Sequence, residues 1–343
     1  MNPKVTVLVM VLASVLSIPS AVCAEVTGQQ RAQAAGRGLI GSPAPRLVLK
    51  TINGETIDLA DLYGKKAVYI KFWATWCTPC REQMPHFQHT YETAGSDLAM
   101  IAVNAGFNDS VEEIQKYRQR LRITMPIVMD DGRMAAALNL RVTPQHIVIG
   151  RDGRIQYVGH LADAQLDAAL HSARAPGTKN HGVGIASDHG ITATHQLAVG
   201  EALPTSVVRT LGGRDFSLQK RGLPGPTVLV FLSPWCESYL ATTRPVVAAN
   251  CRVAREQVAR LGNREVRWLG IASGLWANSD DLRDYRAKYK VSIPLTLDES
   301  GSLFRQFGVT DTPTLIVSNS QGTIIRRIES GDMTTLPRAL QGL

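Results

Sequence analysis

Phe72-Trp73-Ala74-Thr75-Trp76-Cys77-Thr78-Pro79-Cys80-Arg81-Glu82-Gln83-Met84-Pro85 decides the fold. Two cysteines stand two residues apart, directly after the apolar run Ala67 to Trp73 and directly before residues of helical character. A strand that hands over to a helix at a cysteine pair is a place for reversible disulfide chemistry. Helix geometry explains why. Cys77 falls at or near the N-cap and Cys80 one turn later on the same face. That spacing lets the two Cα atoms approach to the roughly 4.4–6.8 Å that a disulfide requires. The free N–H groups and positive end of the helix favour a thiolate on Cys77. Pro79 is tolerated there because a first-turn N–H has no intrahelical partner to lose. A zinc site would need two further ligands, and none has the spacing. A purely structural clasp accounts for two cysteines, but not for the strand before them or the tryptophan beside them.

Outward from this stretch, 343 residues suffice for two domains with separate cores. The net charge is +8 from 37 basic and 29 acidic residues, and no dense Lys/Arg run carries interleaved aromatics, so nucleic acid is not an expected partner. Residues 1–24 read as a signal peptide: Lys4, the apolar run Val5 to Ile18, then Ala21-Val22-Cys23-Ala24 with cleavage after Ala24. An uncleaved N-terminal anchor is the alternative, and Val22 fits poorly before a lipidated Cys23. The mature chain is then expected in the periplasm, where disulfides form. It keeps Cys77, Cys80, Cys236 and Cys251.

Residues 25–38 read as a flexible lead-in, 39–172 as a first domain, 173–196 as a linker and 197–343 as a second domain. In the first, Arg46–Lys50, the turn Asn53-Gly54 and Thr56–Asp58 form a hairpin. Strands are expected at Ala67–Trp73, Leu98–Asn104, Pro126–Met129, Gln145–Gly150 and Arg154–Gly159. Helices are expected through the cysteines to about Ala94, then at Val111–Leu121, Gly132–Leu138 and Asp163–His171. Strands alternating with helices, closed by a hairpin, give an α/β layered sheet. The linker contains His181, His189 and His195, whose spacing matches no compact metal-ligand set.

The second half repeats the first. Gly41 and Gly200, Pro45 and Pro204, Gly54 and Gly213, Phe72 and Phe231, Trp76 and Trp235, and Cys77 and Cys236 all differ by 159. Thr143-Pro144 and Thr312-Pro313, Gly153 and Gly322, and Ile155 and Ile324 differ by 169. One duplicated unit with ten residues inserted after the cysteine helix explains both offsets.

These residues carry a resemblance. Phe72 to Arg81 with Met84-Pro85, the lead-in Gly41-Ser42-Pro43-Ala44-Pro45 and Val142-Thr143-Pro144 resemble a thioredoxin-fold protein, most closely the exported TlpA/ResA-like thiol-disulfide reductases. The likeness covers 39–171 well and 197–343 less well. It implies two tandem thioredoxin-like domains, each a mixed sheet with flanking helices. It implies Cys77 as nucleophile, Cys80 as resolving thiol, a cis Pro144, backbone hydrogen bonds from Thr143 to an extended substrate, and Trp76 as shield and docking surface. The redox element is the Cys77–Cys80 disulfide, with no other cofactor and no metal. Pro85 would kink the helix. Exported protein thiols or disulfides and a membrane-embedded electron donor are the implied partners.

Two positions depart from the family. Where thioredoxins carry a buried acid, this chain has Lys71, either a buried modulator of the thiolate or a side chain that snorkels to the surface. Where the TlpA/ResA-like pattern places Glu, it has Gln83, with Glu82 turned about 100° away as a surface acid. In the second half Tyr239 replaces the resolving cysteine. Cys236 and Cys251 would lie about 22 Å apart on one unbroken helix. Pro245 either breaks that helix and lets them pair, or Cys251 is buried and Cys236 is a free relay thiol. Phe231 to Cys236 lacks the PxxxTxxC arrangement of a peroxidase. The expected activity is protein-disulfide reduction by a Cys77/Cys80 dithiol cycle. The alternatives are an oxidase or isomerase using the same pair, and a non-catalytic binding or chaperone protein with a structural CxxC.

Overall fold

The computed structural model describes residues 27–175, 195–219, 225–262 and 266–341. The expected signal peptide, Cys23, His181 and His189 lie outside the described residues.

The first correction comes at the N-terminus. Residues 27–38 are not a flexible lead-in: α1 (Gly28–Gly36) opens with a capping box in which Thr27 Oγ1 accepts from Gln30 N and the Gln30 side chain accepts from Thr27 N. Its weak apolar pattern hid it, and tertiary packing makes it. Ala32 and Ala35 are buried, and two glycines let the helix press close. A Cβ on Gly36 would meet Val158 at 2.7 Å, and one on Gly28 would meet the His160 ring at 2.5 Å.

The hairpin β1 (Val48–Lys50) and β2 (Thr56–Asp58) follows, then the one-turn α2 (Leu59–Leu62). Gly54 holds the hairpin turn at φ 90°. Next come β3 (Ala67–Trp73), α3 (Thr78–Thr93), β4 (Leu98–Asn104), α4 (Val111–Leu121), β5 (Ile127–Met129), α5 (Arg133–Ala137), β6 (Gln145–Ile149), β7 (Ile155–Gly159) and α6 (Ala164–Arg174). The sheet order is β5-β4-β3-β6-β7. β3 runs parallel to β4 and antiparallel to β6, and β7 closes a hairpin on β6. All seven residues of β3 are buried, since helices cover both faces. Ser110 caps α4 and Asp163 caps α6. Helix α6 extends to Arg174, so positions 173 and 174 are helical rather than linker.

The second module repeats the plan. β8 (Val207–Arg209) and β9 (Asp215–Ser217) form its hairpin, followed by β10 (Thr227–Leu232), α7 (Cys236–Thr243), α8 (Pro245–Leu261), β11 (Arg267–Ser273), α9 (Ser279–Tyr289), β12 (Leu295–Asp298), α10 (Ser302–Gln306), β13 (Thr314–Ser318) and β14 (Ile324–Ile328). A 3₁₀ turn at Ser330–Thr335 leads into α11 (Leu336–Ala339). The sheet order β12-β11-β10-β13-β14 has the same directions strand for strand as the first sheet. The chain is thus two tandem α/β thioredoxin-like modules. The ten extra residues fall where α3 is replaced by two helices, α7 and α8, broken at Arg244-Pro245. Among the described residues no helix is long and apolar enough to cross a membrane.

Candidate active site

Cys77 is the N-cap of α3, with extended backbone at φ −76° and ψ 109°. It is bonded to Cys80 across a Cα–Cα distance of 5.2 Å. The Cys80 N–H points at Cys77 Sγ from 3.2 Å, so an orphan donor of the helix end faces the sulfur that would carry a negative charge. Pro79 sits in the first turn. Pro85 lies inside α3, where it withdraws one backbone donor. The Thr143–Pro144 peptide is cis, and Cys77 Sγ lies 3.3 Å from the Thr143 carbonyl oxygen. The helix N-terminus and the loop before β6 therefore converge on one sulfur. Trp76 anchors the approach, its indole N–H donating to the Phe107 carbonyl at 2.7 Å.

Behind the disulfide lies a buried polar group that only the three-dimensional structure assembles. The Lys71 side chain is completely buried, which removes the surface reading of this residue. Its Nζ has no hydrogen-bond partner and lies 5.2 Å from the Phe87 ring centre, under the cysteine helix. Burial without a counter-charge pushes its ammonium down to about 7. Opposite Lys71 on β6 is His146. His146 Nε2 lies 2.9 Å from Gln83 Oε1, which only accepts, so Nε2 carries the proton and Nδ1 accepts from the Tyr69 hydroxyl at 2.8 Å. Burial, followed by the nearby Lys71 charge, holds His146 well below the usual imidazole range, so the ring is neutral. Gln83 Nε2 also donates to the His160 carbonyl at 3.3 Å. His160 Nδ1 donates to the Pro144 carbonyl at 2.7 Å and braces the cis-proline loop. Tyr69, His146 and His160 escaped sequence reasoning because they sit 77 and 16 residues from the partners that give them meaning. The one available signal was a histidine directly after Thr143-Pro144-Gln145, in an otherwise apolar strand. Glu82 is exposed, as expected of a surface acid.

In the second module Cys236 and Cys251 are bonded, with Cα atoms 6.3 Å apart. The helix break at Pro245 folds α8 back on α7, so the free-relay reading of Cys236 does not hold. Thr312–Pro313 is also cis, and here it is Cys251, not Cys236, whose Sγ lies near the carbonyl of the preceding threonine, at 3.7 Å. His195 pairs with Glu201 at 2.6 Å on the surface. Among the described residues no three His, Cys, Asp or Glu side chains gather as a metal site.

The two modules meet through these same faces. Trp76 stacks on Trp235 with ring centres 5.1 Å apart, and the Thr78 N–H donates to the Tyr239 hydroxyl at 3.1 Å. Arg244 reaches across to Glu113, Thr75 and buried Asp109, the last at 2.8 Å. Asp109 also accepts from Thr75 N and Asn104 Nδ2. Burial still outweighs these donors and raises its carboxyl above the usual range. Trp76 is consequently only 1% exposed.

A cysteine pair at a helix N-cap, facing a cis-proline loop in a mixed sheet of this order, defines a thiol-disulfide oxidoreductase of thioredoxin fold. The AhpC/TSA family matches residues 40–158. A thioredoxin-like protein of Bacillus subtilis, YneN, is 33% identical over 133 residues, 38% of this chain and 78% of its own length. The thiol-disulfide oxidoreductase ResA of Geobacillus kaustophilus is 30% identical over 137 residues, 39% of this chain and 77% of its own. ResA of Halalkalibacterium halodurans is 37% identical over 117 residues, 34% of this chain and 65% of its own. A crystal structure of a thioredoxin-family thiol:disulfide interchange protein from Chlorobium tepidum aligns over 39% of this chain and 97% of its own, at 25% identity and a TM-score of 0.36. The chain belongs to the thioredoxin-like, ResA-type thiol-disulfide oxidoreductases.

Proposed function

We propose that the chain is an exported protein-disulfide reductase that works through Cys77 and Cys80 in the periplasm. The observation that carries this reading is the convergence on Cys77 Sγ of the Cys80 N–H at 3.2 Å and the Thr143 carbonyl at 3.3 Å, beside Pro144. The first stabilises a thiolate, and the second sets the cis-proline loop, which the resemblance assigns to the substrate, beside the same sulfur. In the forward cycle the Cys77 thiolate attacks one sulfur of a substrate disulfide. That S–S bond breaks and the departing thiolate takes a proton. The Cys80 thiolate then attacks Cys77 Sγ, releases the second substrate thiolate and forms the Cys77–Cys80 disulfide. Two electrons have passed to the substrate, and an external dithiol must return them; a membrane-embedded donor fits an exported chain. Lys71, poised near neutral pH by burial, is assigned the role of modulating the thiolates. Thr143 and Pro144 hold the substrate and Trp76 shields the pair. The apolar run Val5 to Ile18 with Ala21 to Ala24 behind it supports export.

Trapping tests the reading. A Cys80→Ala variant should accumulate mixed disulfides through Cys77 with exported cysteine proteins, and a complete absence of such adducts would leave the pair a structural clasp. The reduction potential of Cys77–Cys80 decides direction: a value as low as that of thioredoxin, about −270 mV, supports a reductase, whereas one near −120 mV supports an oxidase.

A further inference from the structure

Residues of the second module lie against the surface that surrounds the Cys77–Cys80 disulfide. Cys77, Cys80 and Thr143 are fully buried. Trp76, the Thr78 amide and the segment Arg141 to Thr143 flank Cys77, and each is engaged by the second module. Trp235 lies on Trp76 and the Tyr239 hydroxyl takes the Thr78 N–H. On the third side, the Trp276 backbone N–H donates to the Arg141 carbonyl at 2.9 Å, and its indole N–H donates to Thr143 Oγ1 at 3.2 Å. The Trp276 ring also stands edge-on to His160 at 5.5 Å. A backbone donor paired with the loop and a large side chain seated beside it is how an extended peptide docks.

The contact is reciprocal, which sets it apart from incidental packing. Trp76 and Trp235 donate their indole N–H groups to the carbonyls of Phe107 and Leu275, each at 2.7 Å, so the residues that follow, Asn108 and Trp276, are equivalent. Both have left-handed backbone, φ 52° and φ 58°. That is a conformation asparagine tolerates and a bulky tryptophan rarely adopts. Asn108 N–H donates to the Thr310 carbonyl at 2.9 Å, as Trp276 does to Arg141. The Asn108 side chain accepts from Thr312 N at 2.9 Å, as the Trp276 indole engages Thr143. Each module thus inserts the loop after its second core strand into the cis-proline loop of the other.

We propose that the second module is a resident lid on the first: the Trp276 loop occupies the place of a cysteine peptide, and exchange at Cys77 requires the two faces to part. The proposal rests on the reading of Cys77 as the sulfur that partners attack. A competing intramolecular occupant lowers the apparent reactivity by the fraction of molecules that are open. The lid therefore selects partners that offer more contact than Trp276 does, and it guards the disulfide against stray thiols.

The test uses the full oxidised chain and measures how fast Cys77–Cys80 is opened by dithiothreitol and by a single-cysteine peptide, with alkylation and mass mapping as the readout. Trp276→Gly keeps a residue suited to the left-handed backbone and deletes the occupant; it should speed both reactions about tenfold. Asn108→Gly loosens the reciprocal contact without touching the first module's groove, and should act in the same direction. A Trp276→Gly rate within about twofold of wild type, with an unchanged thermal transition, overturns the lid. If that variant does not fold, Asn108→Gly decides by the same threshold. Faster opening of Cys77–Cys80 without any reduction of protein disulfides would keep the lid and sink the proposed function instead.

Discussion

The two modules share a sheet, a cis-proline and a disulfide, yet only one has the physics of an exchange site. In the first, the sulfur that faces the cis-proline belongs to a helix N-cap, where unpaired amides stabilise a thiolate. In the second it belongs to Cys251, in the interior of α8, where the backbone amides are spent on the helix. The cores beneath differ in the same sense. Lys71 pairs with His146 across β3 and β6; the equivalent register positions on β10 and β13 are Val230 and Leu315. Tyr69 has Val228 as its counterpart. A buried, unpartnered lysine costs several kcal/mol of stability, and the duplicated copy shows that the fold does not need one. Among the described residues the group sits under the CxxC helix and has no equivalent at the matching positions of the second sheet, as expected if it serves the chemistry rather than the scaffold.

The largest difference between the modules should appear when sulfurs are removed from one module at a time. Cys77→Ser should lower disulfide-exchange turnover on the order of 10³-fold or more, the usual effect of deleting a nucleophile. Cys251→Ser should leave exchange at Cys77 in place. Equal losses in an insulin-type disulfide reduction assay would mean that the two halves share one electron path.

Next in size is Lys71→Met, which gives the first module the apolar core of the second. The sign follows from linkage. An unfolded lysine titrates near 10.5 and the buried one near 7, so between these values the unfolded chain binds the extra proton and stability rises with pH. Below about 7 both states are protonated and the full penalty applies, on the order of 5 kcal/mol at 1.36 kcal/mol per unit. Chemical denaturation should therefore find Lys71→Met more stable than wild type at pH 6, with the gap closing towards pH 10. A gap that does not change with pH would mean that the lysine is not charged and buried as described. The same variant should flatten the dependence of exchange rate on pH near 7.

A smaller effect is expected from Cys236→Ser with Cys251→Ser. The bond closes a loop of 15 residues, and loops of that length are worth about 3 kcal/mol. Calorimetry should show a lower melting temperature without loss of Cys77-dependent turnover. Loss of turnover with the fold intact would move the second disulfide into the mechanism.

How much of this was legible in the sequence depends on how local the cause is. The place of Cys77 at a helix N-terminus, the strands on either side and the duplication follow from spacings of a few residues or from one repeated offset. The pairing of Cys236 with Cys251 turned on whether Pro245 ends a helix, and the sequence allowed both outcomes. Helix α1 left no apolar stripe to find, because Gly28 and Gly36 dock by closeness rather than by hydrophobic side chains. The Tyr69–His146–Gln83 group and the Trp276 contact join residues 63 to 133 positions apart. Neither has a periodic signature, so each becomes visible only when the sheet and the two modules are assembled.

The smallest effect probes the exchange of roles at one position. Tyr239 stands where the second module would carry its resolving cysteine, and its hydroxyl accepts the Thr78 amide at the start of the cysteine helix. Tyr239→Phe keeps the ring against Trp76 and Trp235 and deletes only that acceptor. A hydrogen bond at this partly exposed site contributes about 1 kcal/mol. The rate at which dithiothreitol opens Cys77–Cys80 should rise by no more than about fivefold, because only one of several contacts across the interface is lost. Tyr239→Ala also removes the ring and should raise the rate further. If the two variants are equal, the hydroxyl alone carries this contact; if Tyr239→Phe has no effect and Tyr239→Ala does, the aromatic stack carries it. In either case the residue that replaced a redox group in the second module has become part of the surface that restrains the redox group of the first.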